Sequence, residues 1–144
     1  HDNLDAVHAA KQIVTLFPEN KVLLEQLAKN LFLFVDACGG FTPQRASFLQ
    51  QIILAFGFNE NYFKRMLRDR IIPQQEDPFI VLGVPENVSY VELRKAYRIA
   101  IKEWHPERFE SEDTPKALLD AANDKFNRIQ QAFQAIKLKC GFSL

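Results

Sequence analysis

Residues 88–106, VSYVELRKAYRIAIKEWHP, constrain the chain more than any other stretch, because they specify one amphipathic helix and the place where it must stop. Ser89 and Glu92 have capping-box spacing, and Val88 with Leu93 can form the hydrophobic staple beside it. At about 100° per residue, Leu93, Ala96, Tyr97, Ala100, Ile101 and Trp104 share one broad apolar arc. Arg94, Lys95, Arg98 and Lys102 share an adjacent arc with no acid among them. Pro106 ends the helix, since a proline pushes the preceding residue, His105, out of the helical region. Glu107 and Arg108 follow at once. The result is a basic rod that ends on a stiff corner of imidazole, proline and carboxylate.

The same punctuation recurs along the chain and predicts an all-α fold. NLDAVHAAKQIVTLF closes at Pro18, and NKVLLEQLAKNLFLFVDACGG stops at Gly39-Gly40. FTPQRASFLQQIILAFG starts on Thr42 as N-cap and Pro43 as first helical residue, and ends at Gly57. Asn59 caps ENYFKRMLRDR, whose basic last turn suits the negative end of the helix dipole. Pro and polar residues then cluster in IIPQQEDP, which predicts a boundary: a small helical bundle over 1–72, a linker over 73–76 and a second helical domain over 77–144. In that second domain DPFIVLG reads as a short helix. PKALLDAANDKFNRIQQAFQAIKLK carries Leu119, Ala122, Phe126, Ile129, Phe133 and Ile136 as a narrow apolar stripe. Two amphipathic helices joined by about a dozen polar residues form an antiparallel hairpin, with the His-Pro corner exposed at its open tip.

Composition removes several function classes. Lys plus Arg is 18 and Asp plus Glu is 18, a balance that argues against a general binder of nucleic acid or anionic membrane. Cys38 and Cys140 are far apart and in no ligand-like spacing, so two reduced, mostly buried thiols in a cytoplasmic setting are expected. No apolar run approaches the roughly 20 residues that span a bilayer. The chain begins at His1 rather than Met, so an upstream segment would escape this reading. His105 has no neighbouring Ser or Cys nucleophile and no second His or Cys at ligand spacing, so no catalytic role, metal or cofactor is expected of it. Two readings remain open: a solvated basic face with a plain helix stop, or a surface for an acidic protein partner, with the corner fixing register.

DPFIVLGVPENVSYVELRKAYRIAIKEWHPE, followed by DKFNRIQQAFQAIK, resembles the J domain of DnaJ-type co-chaperones. The short first helix with LGV, the AYR of the second, the His-Pro loop and the aromatic spacing of the third all match, from Asp77 to about Lys139. The ending IQQAFQAIKLKCGF is especially similar to the DjlA subtype, DnaJ-like proteins of bacterial membranes. LFLFVDACGGFTPQRASFLQQIILAFGFNENYF resembles the helical TerB-like (tellurite-resistance) domain that precedes the J domain in such proteins.

The resemblance implies a co-chaperone, not itself an enzyme, that binds a DnaK-type heat-shock ATPase and stimulates its ATP hydrolysis, with client proteins as further candidate partners. It implies that Arg94, Lys95, Arg98 and Lys102 form the face that meets an acidic surface of the chaperone. His105 and Pro106 would be the first two loop residues, Glu107 the acid and Arg108 the base after it. Tyr97, Phe126 and Phe133 match core aromatics. It also implies a cytoplasmic location, with an anchor in the bacterial inner membrane supplied before His1. Two positions depart from the pattern. The family loop ends in Asp where this chain has Glu107, which moves the carboxylate by about 1.5 Å, and Ile99 stands where many members carry a base. The alternative reading is therefore a degenerate J-like adaptor that binds proteins without stimulating an ATPase.

Overall fold

A computed structural model describes residues 2–72, 74 and 77–142. The described residues form seven α-helices and one 3-10 turn, with no strand: α1 Asp2–Leu16, α2 Lys21–Ala37, α3 Pro43–Ala55, α4 Glu60–Ile71, α5 Pro78–Leu82, α6 Tyr90–Glu103, the turn Pro106–Phe109, and α7 Lys116–Lys139. The all-α expectation holds. Most of the linker expected over 73–76 lies outside the described residues, only Gln74 falling within them.

The helix starts are set locally. Thr42 Oγ1 accepts from Arg45 N at 3.2 Å and Asn59 Oδ1 from Tyr62 N at 2.9 Å. Asp77 caps α5 through Phe79 N at 3.0 Å. Each bond satisfies one amide that the first turn leaves without a helical acceptor. Gly83 ends α5 at φ 67°, a left-handed conformation open to glycine at no steric cost. Ser89 Oγ accepts from Glu92 N at 3.2 Å, but only this half of the expected capping box forms among the described residues. The Glu92 side chain stays in solvent.

Packing produces two buried clusters. In the bundle, Phe32 of α2 lies against Phe41 and, at a ring separation of 5.8 Å, against Phe63 of α4, with Leu49, Ile53 and Leu67 around them. In the C-terminal half, Phe79 and Leu82 of α5, Leu93 of α6 and Ile129, Phe133 and Ile136 of α7 pack together, with Val88 beside Leu93 as the staple requires. Burying each such side chain contributes roughly 1.5–3 kcal/mol.

The bundle's cluster does not end at the expected boundary. It continues into Phe109, Leu118, Ala121 and Ala122. The first turns of α7 are therefore a second apolar face packed on α4, distinct from the stripe that faces α5 and α6. Leu118 is fully buried whereas Leu119, expected in the stripe, is half-buried. An ion network crosses the same seam. Arg68 Nη2 of α4 reaches Asp124 Oδ2 of α7 at 2.5 Å, and Arg128 Nε reaches Asp124 Oδ1 at 3.1 Å. The cysteines also differ from expectation: both are free, but Cys38 is exposed and Cys140 half-buried.

Two outcomes follow from this packing. Phe63 is 0% exposed at the centre of the bundle, so Phe63→Ala should lower stability by about 3–5 kcal/mol, read from the urea midpoint. Partial burial raises the Asp124 carboxyl pKa, but the hydrogen bonds and charges of Arg68 and Arg128 outweigh it and hold the group below the ordinary carboxylate value. A pKa lowered by folding means that the ionised form stabilises the fold above the unfolded value of about 4, and that this contribution is lost as pH falls through the folded value. Asp124→Asn should thus cost about 0.2–1 kcal/mol near neutrality, the range for solvent-accessible pairs. Its stability should converge on that of the unaltered chain as urea titrations are taken into acid.

Candidate functional site

The basic arc of α6 is present and open to solvent. Arg94, Lys95, Arg98 and Lys102 are all exposed, and among the described residues none is within ion-pair distance of an acid. Arg94 instead lies over the Tyr90 ring at 5.7 Å. A helix rises 1.5 Å per residue, so the four cations form a stripe about 12 Å long. The bundle leaves this stripe uncovered, because it packs on α7. Beside it Ile99 is 58% exposed, an apolar spot where the arc ends.

At the end of α6 the corner is held by its own hydrogen bonds. His105 is extended at φ −61°, ψ 133°, and its Nδ1 accepts from Glu107 N at 3.3 Å, capping the 3-10 turn. An accepting Nδ1 leaves the proton of the neutral ring on Nε2. Arg108 N donates to His105 O at 3.0 Å, and Arg108 Nη1 donates to Glu103 O at 2.9 Å, one of the carbonyls that the end of α6 leaves without a partner. Pro106, half-buried, supplies the bend at the first position of the turn. Glu107 is exposed.

The corner is less open than its place at a hairpin tip suggests. His105 is half-buried, with its ring edge-on to Phe126 of α7 at 5.6 Å. The expectation of a fully exposed imidazole is corrected accordingly. Phe126 is itself half-buried, and of the three matched aromatics it is Tyr97 and Phe133 that stack, at 4.1 Å and 13°. The joining loop is not simply polar either. Phe109 is buried and lies parallel to Trp104 at 5.6 Å, so the residues just before and just after the corner are clamped to one another. Lys125 Nζ sits 5.9 Å from the Trp104 ring centre. Burial lowers its pKa, Glu103 opposing and Arg128 reinforcing that shift.

Stripe and corner share one concavity. A groove of about 510 Å³ is lined by Tyr97, Arg98, Ile101, Lys102, His105, Glu107 and Arg108. Five of the eight residues singled out from sequence thus converge on it. Arg94 and Lys95 extend the same charged face away from the groove, and Pro106, outside its lining, starts the turn. The groove has an apolar floor, a cationic lip and a carboxylate beside an imidazole, which suits an apolar side chain from a partner that is acidic around it. Sequence reasoning missed Trp104 with Phe109 as the clamp. The only signal was a lone phenylalanine in an otherwise polar loop.

Residues 77–139 match the family model described as DnaJ domain. The curated relatives include the co-chaperone protein DjlA of Photobacterium profundum, 30% identical over 86 residues, which cover 60% of this chain and 31% of that protein. The co-chaperone protein DjlA of Escherichia coli (strain K12) is 34% identical over 70 residues, 49% of this chain and 26% of that one. The chaperone protein DnaJ of Thermotoga neapolitana is 36% identical over 63 residues, 44% of this chain and 15% of that one. The chain therefore spans less than a third of the length of these relatives. No solved structure matches it significantly. The helix order, the helix-stopping His-Pro step and the family match agree on one conclusion: residues 77–139 of this chain are a J domain.

Proposed function

We propose that the chain is a co-chaperone that docks on a DnaK-type heat-shock ATPase and stimulates its ATP hydrolysis. The single observation that carries this reading is the cationic stripe, without an ion-pair partner among the described residues, that runs into the groove beside His105 and Glu107. The relatives' printed names, co-chaperone protein DjlA and chaperone protein DnaJ, support the same class. In this reading Arg94, Lys95, Arg98 and Lys102 steer and align an acidic face of the ATPase. Such same-sign surfaces raise association rates and fix register more than they add affinity. His105 and Glu107 then engage the partner from the groove. Arg108 acts through geometry, because its guanidinium ties the turn to the end of α6.

A second reading has its own observation. Glu107 carries a longer side chain than the family's Asp, and bidentate carboxylate–guanidinium contacts are geometrically demanding. A chain that docks but does not activate would be an adaptor. The boundary at 73–76, the TerB-like character of 1–72, and a place on the cytoplasmic side of a bacterial inner membrane, with an anchor upstream, belong to the same proposal. Among the described residues no helix is long and apolar enough to cross a membrane.

A steady-state ATPase assay with a DnaK-type chaperone decides between the readings. The unaltered chain should raise turnover. His105→Gln should abolish the increase while keeping the helical circular dichroism of the parent, and unchanged stimulation in that variant would remove the corner from the site. No stimulation by the parent together with stimulation by Glu107→Asp would establish the adaptor. Reversing two charges, Arg98→Glu with Lys102→Glu, should raise the half-maximal concentration at least about tenfold at low salt. The loss should shrink above about 0.3 M salt, where charges are screened beyond a few ångströms.

A further inference from the structure

Among the described residues, the buried cluster of the bundle takes in the tip end of the J-domain hairpin. Leu118, Ala121 and Ala122, in the first turns of α7, belong to the bundle's buried cluster, and so does Phe109, two residues after Glu107. Trp104, one residue before His105, packs against both clusters. Three consecutive residues of α7 then face three different neighbours. Asp124 bonds Arg68 of the bundle, Lys125 lies over the Trp104 ring, and Phe126 meets the His105 ring. Helix geometry fixes the spacing of these three Cα atoms, so a displacement of the backbone here carries all three contacts with it.

From this we infer that the N-terminal bundle is a buttress that sets the geometry of the His-Pro corner, with Arg68 and Asp124 as positioning residues. The inference rests on the J-domain reading of the corner as the surface that activates the partner. The path is short and continuous: α4 fixes α7 by apolar packing and the Arg68–Asp124 bond. Through Lys125 and Phe126, α7 fixes the rings of Trp104 and His105, and Phe109 locks the return of the loop into the same cluster. The basic stripe of α6 is outside this path, since its four cations project into solvent. Loosening the seam between α4 and α7 should therefore leave docking intact and degrade activation. A bundle that served only for solubility or for binding something else would predict no such separation.

The test uses the whole chain with Arg68→Glu, which sets a like charge opposite Asp124, and Arg68→Lys as the conservative variant. Arg68 is partly exposed, its side chain 42% accessible, so neither substitution opens the core. Amide hydrogen exchange over 105–110 should accelerate about fivefold in Arg68→Glu, the effect of about 1 kcal/mol on a local opening, while α6 stays protected. Emission of Trp104, the one tryptophan of the chain, should shift to the red. With a DnaK-type ATPase the half-maximal concentration should stay within about twofold while maximal stimulation falls, and Arg68→Lys should keep maximal stimulation at the level of the parent. Exchange and emission identical to the parent would overturn the inference, as would an acceleration spread evenly over α5, α6 and the tip. If the parent stimulates no ATPase, the functional proposal fails, and the exchange and emission measurements still decide whether the bundle sets the corner.

Discussion

One helix with two apolar faces holds this molecule together. The stripe of α7 that contains Ile129, Phe133 and Ile136 closes the core of the J domain, and its first turns, with Leu118, Ala121 and Ala122, enter the core of the bundle. Everything at the tip is referred to that helix. The imidazole of His105 leans on Phe126, the indole of Trp104 lies under Lys125, and Phe109 is buried beside Trp104. A loop of a dozen residues would otherwise be free to sample many arrangements. Here its two ends and its middle are pinned.

The chemistry offered to a partner is correspondingly divided. Arg94, Lys95, Arg98 and Lys102 are exposed and unpaired among the described residues, the condition under which charge acts at long range and is sensitive to salt. His105 and Glu107 stand at a corner whose backbone is fixed by hydrogen bonds from Glu107 N and Arg108. Such preorganisation lowers the entropic cost of a short-range contact. In the proposed function, the first part of the surface would find the partner and the second would act on it.

Sequence reasoning reached the parts of this arrangement that are local. Thr42, Asn59, Asp77 and Ser89 start their helices as their types and positions imply, because a cap is decided within three residues. The basic arc was legible for the same reason, helical spacing alone placing its four cations on one side. What escaped was tertiary. Nothing local says that Phe109 folds back on Trp104, or that Leu118 is buried and Leu119 only half so, because those outcomes depend on α4 arriving from another part of the chain. The exposed Cys38 is a similar case: it caps the end of α2 beside Gly39. The half-buried His105 was hidden by the assumption that a hairpin tip has no neighbours, when Phe126 supplies one.

Where a partner touches the chain is the decisive question. Isotope-labelled chain titrated with an unlabelled DnaK-type ATPase, and followed by amide and arginine side-chain resonances, reads that contact directly. The prediction is perturbation confined to the outer face of α6 and residues 105–108, with the cap and core resonances of α2, α3 and α5 unmoved. Perturbation centred on the bundle, with α6 and the corner silent, would contradict it.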